Sequence, residues 1–136
     1  MKKEVNIVIG TESIGETGET DHISLTTQGT LFKKDGLFYI SYNENPEEFG
    51  KTLTTIKIKN DRVELIRTGN VSSKLVFLKN RPFKSSYNTP YGSLPLTLSL
   101  MDMKLATGDC EGTVFLHYAL DLAGNKTENK FTLKYN

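Results

Sequence analysis

Apolar and polar residues alternate along most of this chain with a period of two. Val5, Ile7 and Ile9 open the pattern. Successive side chains of a strand point to opposite faces, so this alternation predicts a first β-strand. The segment Gly10-Thr11-Glu12-Ser13-Ile14-Gly15-Glu16-Thr17-Gly18-Glu19 follows. It is too rich in glycine for a helix and reads as a strand loosening into a loop. Alternation resumes from His22 to Phe32, with Ile23 and Leu25 on one face.

Turn signals divide the rest. Asp35-Gly36 separates Leu31-Phe32 from Leu37-Phe38-Tyr39-Ile40. Such a pair accepts the positive φ angles of a two-residue type I′ hairpin. Asn60-Asp61 has the same role between Thr52 to Lys59 and Arg62 to Thr68, and Gly124-Asn125 between Val114 to Leu122 and Thr127 to Tyr135. Asn45-Pro46-Glu47-Glu48-Phe49-Gly50 is expected to be a loop with at most one helical turn. Ser73 to Lys79 and Phe83 to Tyr87 read as further strands.

Leu94, Leu96, Leu98 and Leu100 alternate with Pro95, Thr97 and Ser99, after which the apolar positions shift to Met101, Met103 and Leu105. A one-residue change of phase inside a strand predicts a β-bulge, and bulges bend strands toward closure. Roughly eight to ten strands joined by short turns predict an all-β fold. The expectation is a single antiparallel barrel, mostly up-and-down, because closure removes exposed edges.

Composition fits this picture. At 136 residues the chain suits one domain, residues 1–136, with a core of its own. Thr, Ile, Val, Phe and Tyr are frequent, whereas Ala occurs only at Ala106, Ala119 and Ala123. The net charge of +1 gives no general attraction to nucleic acid or membranes. No apolar run reaches the ~20 residues of a membrane-spanning helix. One cysteine, Cys110, excludes an internal disulfide. The start Met1-Lys2-Lys3-Glu4-Val5 enters a strand pattern instead of an apolar leader, so a cytoplasmic location is expected.

Three stretches carry a likeness: Arg67-Thr68-Gly69; Phe77 leading to Tyr87-Asn88-Thr89-Pro90-Tyr91-Gly92; and Gly112-Thr113-Val114-Phe115-Leu116-His117-Tyr118-Ala119-Leu120. In this order and spacing the chain resembles the uncharacterised bacterial calycin-like β-barrel family of the YwiB type, a domain of unknown function. The resemblance covers essentially the whole chain and is strongest from Arg67 to Tyr135. It implies a barrel shaped like lipocalins and fatty-acid-binding proteins, and no activity. With no Trp in the chain, the Gly-x-Trp of true lipocalins is missing.

Four residues are candidate ligand contacts. Arg67 shares a strand face with Val63 and Leu65; if that face is inward, its guanidinium must meet a carboxylate, carbonyls or an anionic ligand. Otherwise it closes one barrel end near Gly69. Tyr87 and Tyr91, with Thr89 and Gly92, form either a pocket rim with phenol hydroxyls or a structural corner. His117 lies on the face of Phe115, Ala119 and Asp121, where a lone histidine is more often structural than chemical.

The other chemistry is thin. Glu12, Glu16, Glu19 and Asp21 crowd one loop without the spacing of a calcium site. His22, His117 and Cys110 make no zinc set, so neither metal nor cofactor is expected. Cys110 between Asp109 and Glu111 is a poor nucleophile. Lys74, Lys79, Arg81 and Lys84 interleave with Phe77, Phe83 and Tyr87, but Phe77 is expected in the core with Leu75, so nucleic acid is not an expected partner.

The leading expectation is therefore a barrel holding a small apolar or amphipathic ligand. The alternative is an interaction or structural module whose barrel is filled by its own side chains and which acts through rim loops such as Asn43 to Gly50. An enzyme using Arg67 with a carboxylate or His117 is the third class.

Overall fold

The computed structural model describes residues 1–43, 52–60, 62–69 and 72–136. The segment Asn45 to Gly50, like Asp61, lies outside the described residues. The ten strands are β1 (Lys2–Gly15), β2 (Thr20–Lys34), β3 (Leu37–Asn43), β4 (Thr52–Lys59), β5 (Arg62–Gly69), β6 (Ser73–Phe77), β7 (Phe83–Thr89), β8 (Gly92–Thr107), β9 (Gly112–Leu122) and β10 (Asn125–Tyr135). No described residue is helical.

All pairings are antiparallel, in the order β6-β5-β4-β3-β2-β1-β10-β9-β8-β7. Each strand thus lies beside its neighbour in sequence, except at one place. The ring is zipped where the chain starts and ends, β1 on β10, and is nearly open between β6 and β7. Among the described residues, a single bridge, Ser72 to Asn88, crosses that seam. The fold is a nearly closed up-and-down barrel whose gap lies in the middle of the chain.

Local chemistry explains the turns. Asp35 and Gly36 have φ of 53° and 78°, the left-handed pair that the β2–β3 hairpin requires. The β9–β10 turn sits one residue earlier than the sequence suggests: Leu122 pairs with Asn125, and Ala123 (φ 53°) precedes Gly124 (φ 90°). Asp121 anchors it, its Oδ1 accepting the Gly124 N–H at 2.9 Å. The first strand does not loosen at Gly10 but continues to Gly15, because β2 supplies a continuous partner as far as Thr20. The predicted phase change in β8 is present: the register shifts between Leu100 and Asp102, and Met101 is squeezed outward.

Inward faces form one core. Ile7, Leu31, Ile40, Ile56, Val63, Phe77, Val114, Leu116 and Leu133 are wholly shielded from solvent. Phe77 of β6 meets Tyr118 of β9 edge-on, centroids 5.0 Å apart at 76°. Those strands are not neighbours in the sheet, so this contact spans the barrel interior.

Gly112 has a specific packing role. It lies opposite Tyr135, and a Cβ there would fall 2.5 Å from the ring's Cζ. The ring cannot yield, because Tyr135 is buried and its hydroxyl donates to the Gly108 carbonyl at 2.7 Å while accepting the Gly108 N–H at 3.0 Å. Gly112→Ala is expected to cost about 1–3 kcal/mol of stability by overpacking. Urea denaturation of the two proteins checks this; equal midpoints would mean that the ring moves freely.

Candidate functional site

The β5 register decides which way Arg67 points. Val63 pairs with Ile58 and Phe77, both in the core, and alternation then carries Leu65 and Arg67 inward. Arg67 stands opposite Thr54 of β4 and Ser73 of β6, and Thr54 stands opposite Tyr42 of β3. Thr52 and Thr54 are fully buried and Tyr42 nearly so. One end of the interior is therefore polar, whereas the rest is aliphatic and aromatic. Arg67 is half-buried; its Nε is shielded from water and makes no hydrogen bond of its own. Arg67, Tyr42, Thr52 and Thr54 are each engaged by a partner.

Tyr87 joins this end. It packs half-buried against the core from β7. Its neighbour Asn88 makes the seam bridge to Ser72, adjacent to the Ser73 that faces Arg67. Arg67 and Tyr87 thus flank the seam from opposite sides.

The remaining candidates lie elsewhere. Tyr91 is completely exposed at the tip of the β7–β8 turn. That turn is a structural corner: Thr89 Oγ1 accepts the Tyr91 N–H at 3.2 Å and donates to the Gly92 carbonyl at 3.0 Å. His117 faces outward from β9, across from Asp102 and Lys130. Its Nε2 lies 3.2 Å from Glu128 Oε2, close enough for an ion pair when protonated but not aligned for a hydrogen bond. Neither converges with Arg67.

Burial near the seam is uneven, with Phe77 of β6 wholly buried and Leu96 and Leu98 of β8 nearly so. Ile7, Leu31, Ile40, Leu116 and Leu133 on the zipped wall are wholly buried, whereas inward Leu65, Leu75, Phe83 and Tyr87 are half-exposed and Leu94 is more so. Thr52 and Thr54 do not stand out in the sequence, although they share the phase of Ile56 and Ile58, which is the signal that places them inside.

On the outside of the barrel, Glu64 is a buried carboxylate among cations. Burial pushes its acidity down, but the hydrogen bond and charge of Lys74, with the charges of Arg62 and Lys57, outweigh this and hold it below the usual carboxylate range. Lys74 Nζ lies 3.0 Å away and Arg62 Nε 3.5 Å. No cluster of His, Cys, Asp and Glu among the described residues is arranged to hold a metal.

The family described as "Domain of unknown function (DUF1934)" matches residues 7–134. The chain belongs to this family. It is 25% identical over 130 residues to the "Uncharacterized beta-barrel protein YwiB" of Bacillus subtilis (strain 168), covering 95% of this chain and 90% of that protein. The crystal structure of the Bacillus subtilis ywiB protein superposes with a TM-score of 0.90 at 21% identity, over 99% of this chain and 92% of that one. Membership of the DUF1934 family and the barrel agree with the likeness read from Arg67, Tyr87 to Gly92 and Gly112 to Leu120.

Proposed function

We propose that this DUF1934 barrel is a binding module for a small amphipathic molecule seated along the β6–β7 seam. A single coincidence carries this reading: the seam, beside which the inward Leu65, Leu75, Phe83 and Leu94 keep exposed surface, ends near the inward Arg67 and its polar surroundings. An apolar tail would cover Leu65, Leu75, Phe83 and Leu94, while an anionic head meets the Arg67 guanidinium and the Tyr87 hydroxyl. Small-ligand sites combine a mostly apolar wall with a few placed polar groups in this manner. A planar guanidinium also suits a carboxylate better than an ammonium does.

Native mass spectrometry after exposure to a lipid extract tests the proposal. The expected result is an added mass that leaves on denaturation. Arg67→Met keeps the packing stem and removes a charge-assisted hydrogen bond of about 1.5–3 kcal/mol, so affinity should fall about 10- to 150-fold. A bare mass after the extract would support the alternative, a barrel filled by its own side chains. The Phe77–Tyr118 contact across the interior is the observation on that side.

A further inference from the structure

The chain's net charge conceals a segregated surface. Strand registers set Phe32, Tyr39, Lys57 and Glu64 in one row across the outer face of β2, β3, β4 and β5. Phe32 and Tyr39 are half-buried, with ring centroids 5.8 Å apart, and Lys57 Nζ lies 5.9 Å from the Tyr39 centroid. Beside the row, Leu37, Lys57, Lys59, Asn60, Arg62 and Glu64 line an open groove of about 410 Å³.

Charge within this groove does not balance. The Glu64 carboxylate is shared by Lys74, Arg62 and Lys57, and Lys59 adds to the same edge. Asp35 sits in the β2–β3 turn at this edge, beside Lys33 and Lys34, whereas Glu12, Glu16, Glu19 and Asp21 sit at the far tip of the β1–β2 hairpin, the other end of β2 from Phe32. A cationic sheet face with half-exposed rings is complementary to a chain of phosphates bearing stackable bases.

We infer that the outer face of β2–β5 binds single-stranded nucleic acid, with phosphates on Lys57, Lys59, Arg62 and Lys74 and bases against Phe32 and Tyr39. Phosphate contacts supply affinity that falls with salt, and base stacking on rings is tolerant of sequence. The site is separate from the barrel interior, so it stands or falls independently of the ligand proposal.

The test is fluorescence anisotropy with a labelled oligothymidylate of about 12 nucleotides, within the length that one small barrel tracks. Four phosphate contacts give a slope of about −2.8 in log affinity against log salt. The double variant Lys59→Gln/Arg62→Gln should make that slope shallower by about 1.4, and Tyr39→Leu should weaken binding about fivefold or more. Circular dichroism and thermal unfolding confirm that each variant is folded. Absence of binding at low salt, or a slope unchanged in the double variant, overturns the proposal. So does equal affinity for a heparin fragment with no effect of Tyr39→Leu, which would make the face a general polyanion surface.

Discussion

Phe77→Ala is expected to lower the free energy of unfolding by about 3–5 kcal/mol, the range for deleting a buried aromatic ring. Phe77 has no exposed surface and ends β6, a strand of 5 residues held by a ladder on one side only. Its ring reaches across the barrel to Tyr118. Removing it loses the transfer free energy of the ring and opens a void whose walls belong to strands that are not neighbours in the sheet. Those walls cannot close in without distorting their own ladders. Phe77→Leu keeps most of the volume but loses the edge-to-face contact, worth about 0.5–1.5 kcal/mol. Urea midpoints with slopes held constant check both variants. A loss below about 1 kcal/mol for the alanine variant would mean that the interior collapses around the site.

Alkaline pH is expected to destabilise the protein by about 3 kcal/mol. Burial pushes the Tyr118 phenol up to about 12, from an ordinary value of 10.0. Burial likewise raises Tyr135, with the nearby Asp109 charge in the same direction and the Gly108 hydrogen bond opposing. A phenol raised in the folded state keeps its proton while the unfolded chain loses it, so the unfolded state binds fewer protons and stability falls as pH rises. The stabilisation is whole below about pH 10 and is lost as pH climbs toward 12. The rise for Tyr118 corresponds to about 3 kcal/mol at most, fully lost only above its folded value, and Tyr135 adds in the same direction. Denaturation at about pH 8 and about pH 11.5 should show the drop, and Tyr118→Phe should remove most of it. An unchanged midpoint in the wild type would mean that Tyr118 is open to water.

Features set by neighbouring residues are legible in the sequence itself. The phase change after Leu100 announces the β8 bulge, and Asp35-Gly36 announces its hairpin. Alternation with Val63 and Leu65 sends Arg67 inward. The β9–β10 turn falls one residue away from its expected place because Ala123 takes a left-handed conformation that residue preference assigns to Gly124 or Asn125. The continuation of β1 past Gly10 is hidden in the sequence because its support comes from β2, not from its own residues.

The candidate sites depend more on distance along the chain. Tyr87 and Tyr91 are close in sequence, yet one faces the core and the other crowns a turn, since two-residue turns separate the faces of flanking strands. The basic stretch Lys74 to Lys84 reads as aromatic-interleaved, but Phe77 and Phe83 point inward. The basic and aromatic face that does form joins Phe32, Tyr39 and Lys57 through two successive registers, which no local pattern encodes.

The placement of the gap has a mechanical consequence. The main chains of Asn6 and Asn136 exchange hydrogen bonds at 2.8 and 3.0 Å, so the start of β1 and the end of β10 leave the barrel side by side. Tension applied between the two ends peels an antiparallel pair from its open end, breaking its bonds a few at a time instead of loading the whole ladder in shear. The barrel thus yields easily to a pull on its own termini. A pull across β3 and β4, directed along the strands, would have to slide a register in which Ile40 and Ile56 are locked face to face.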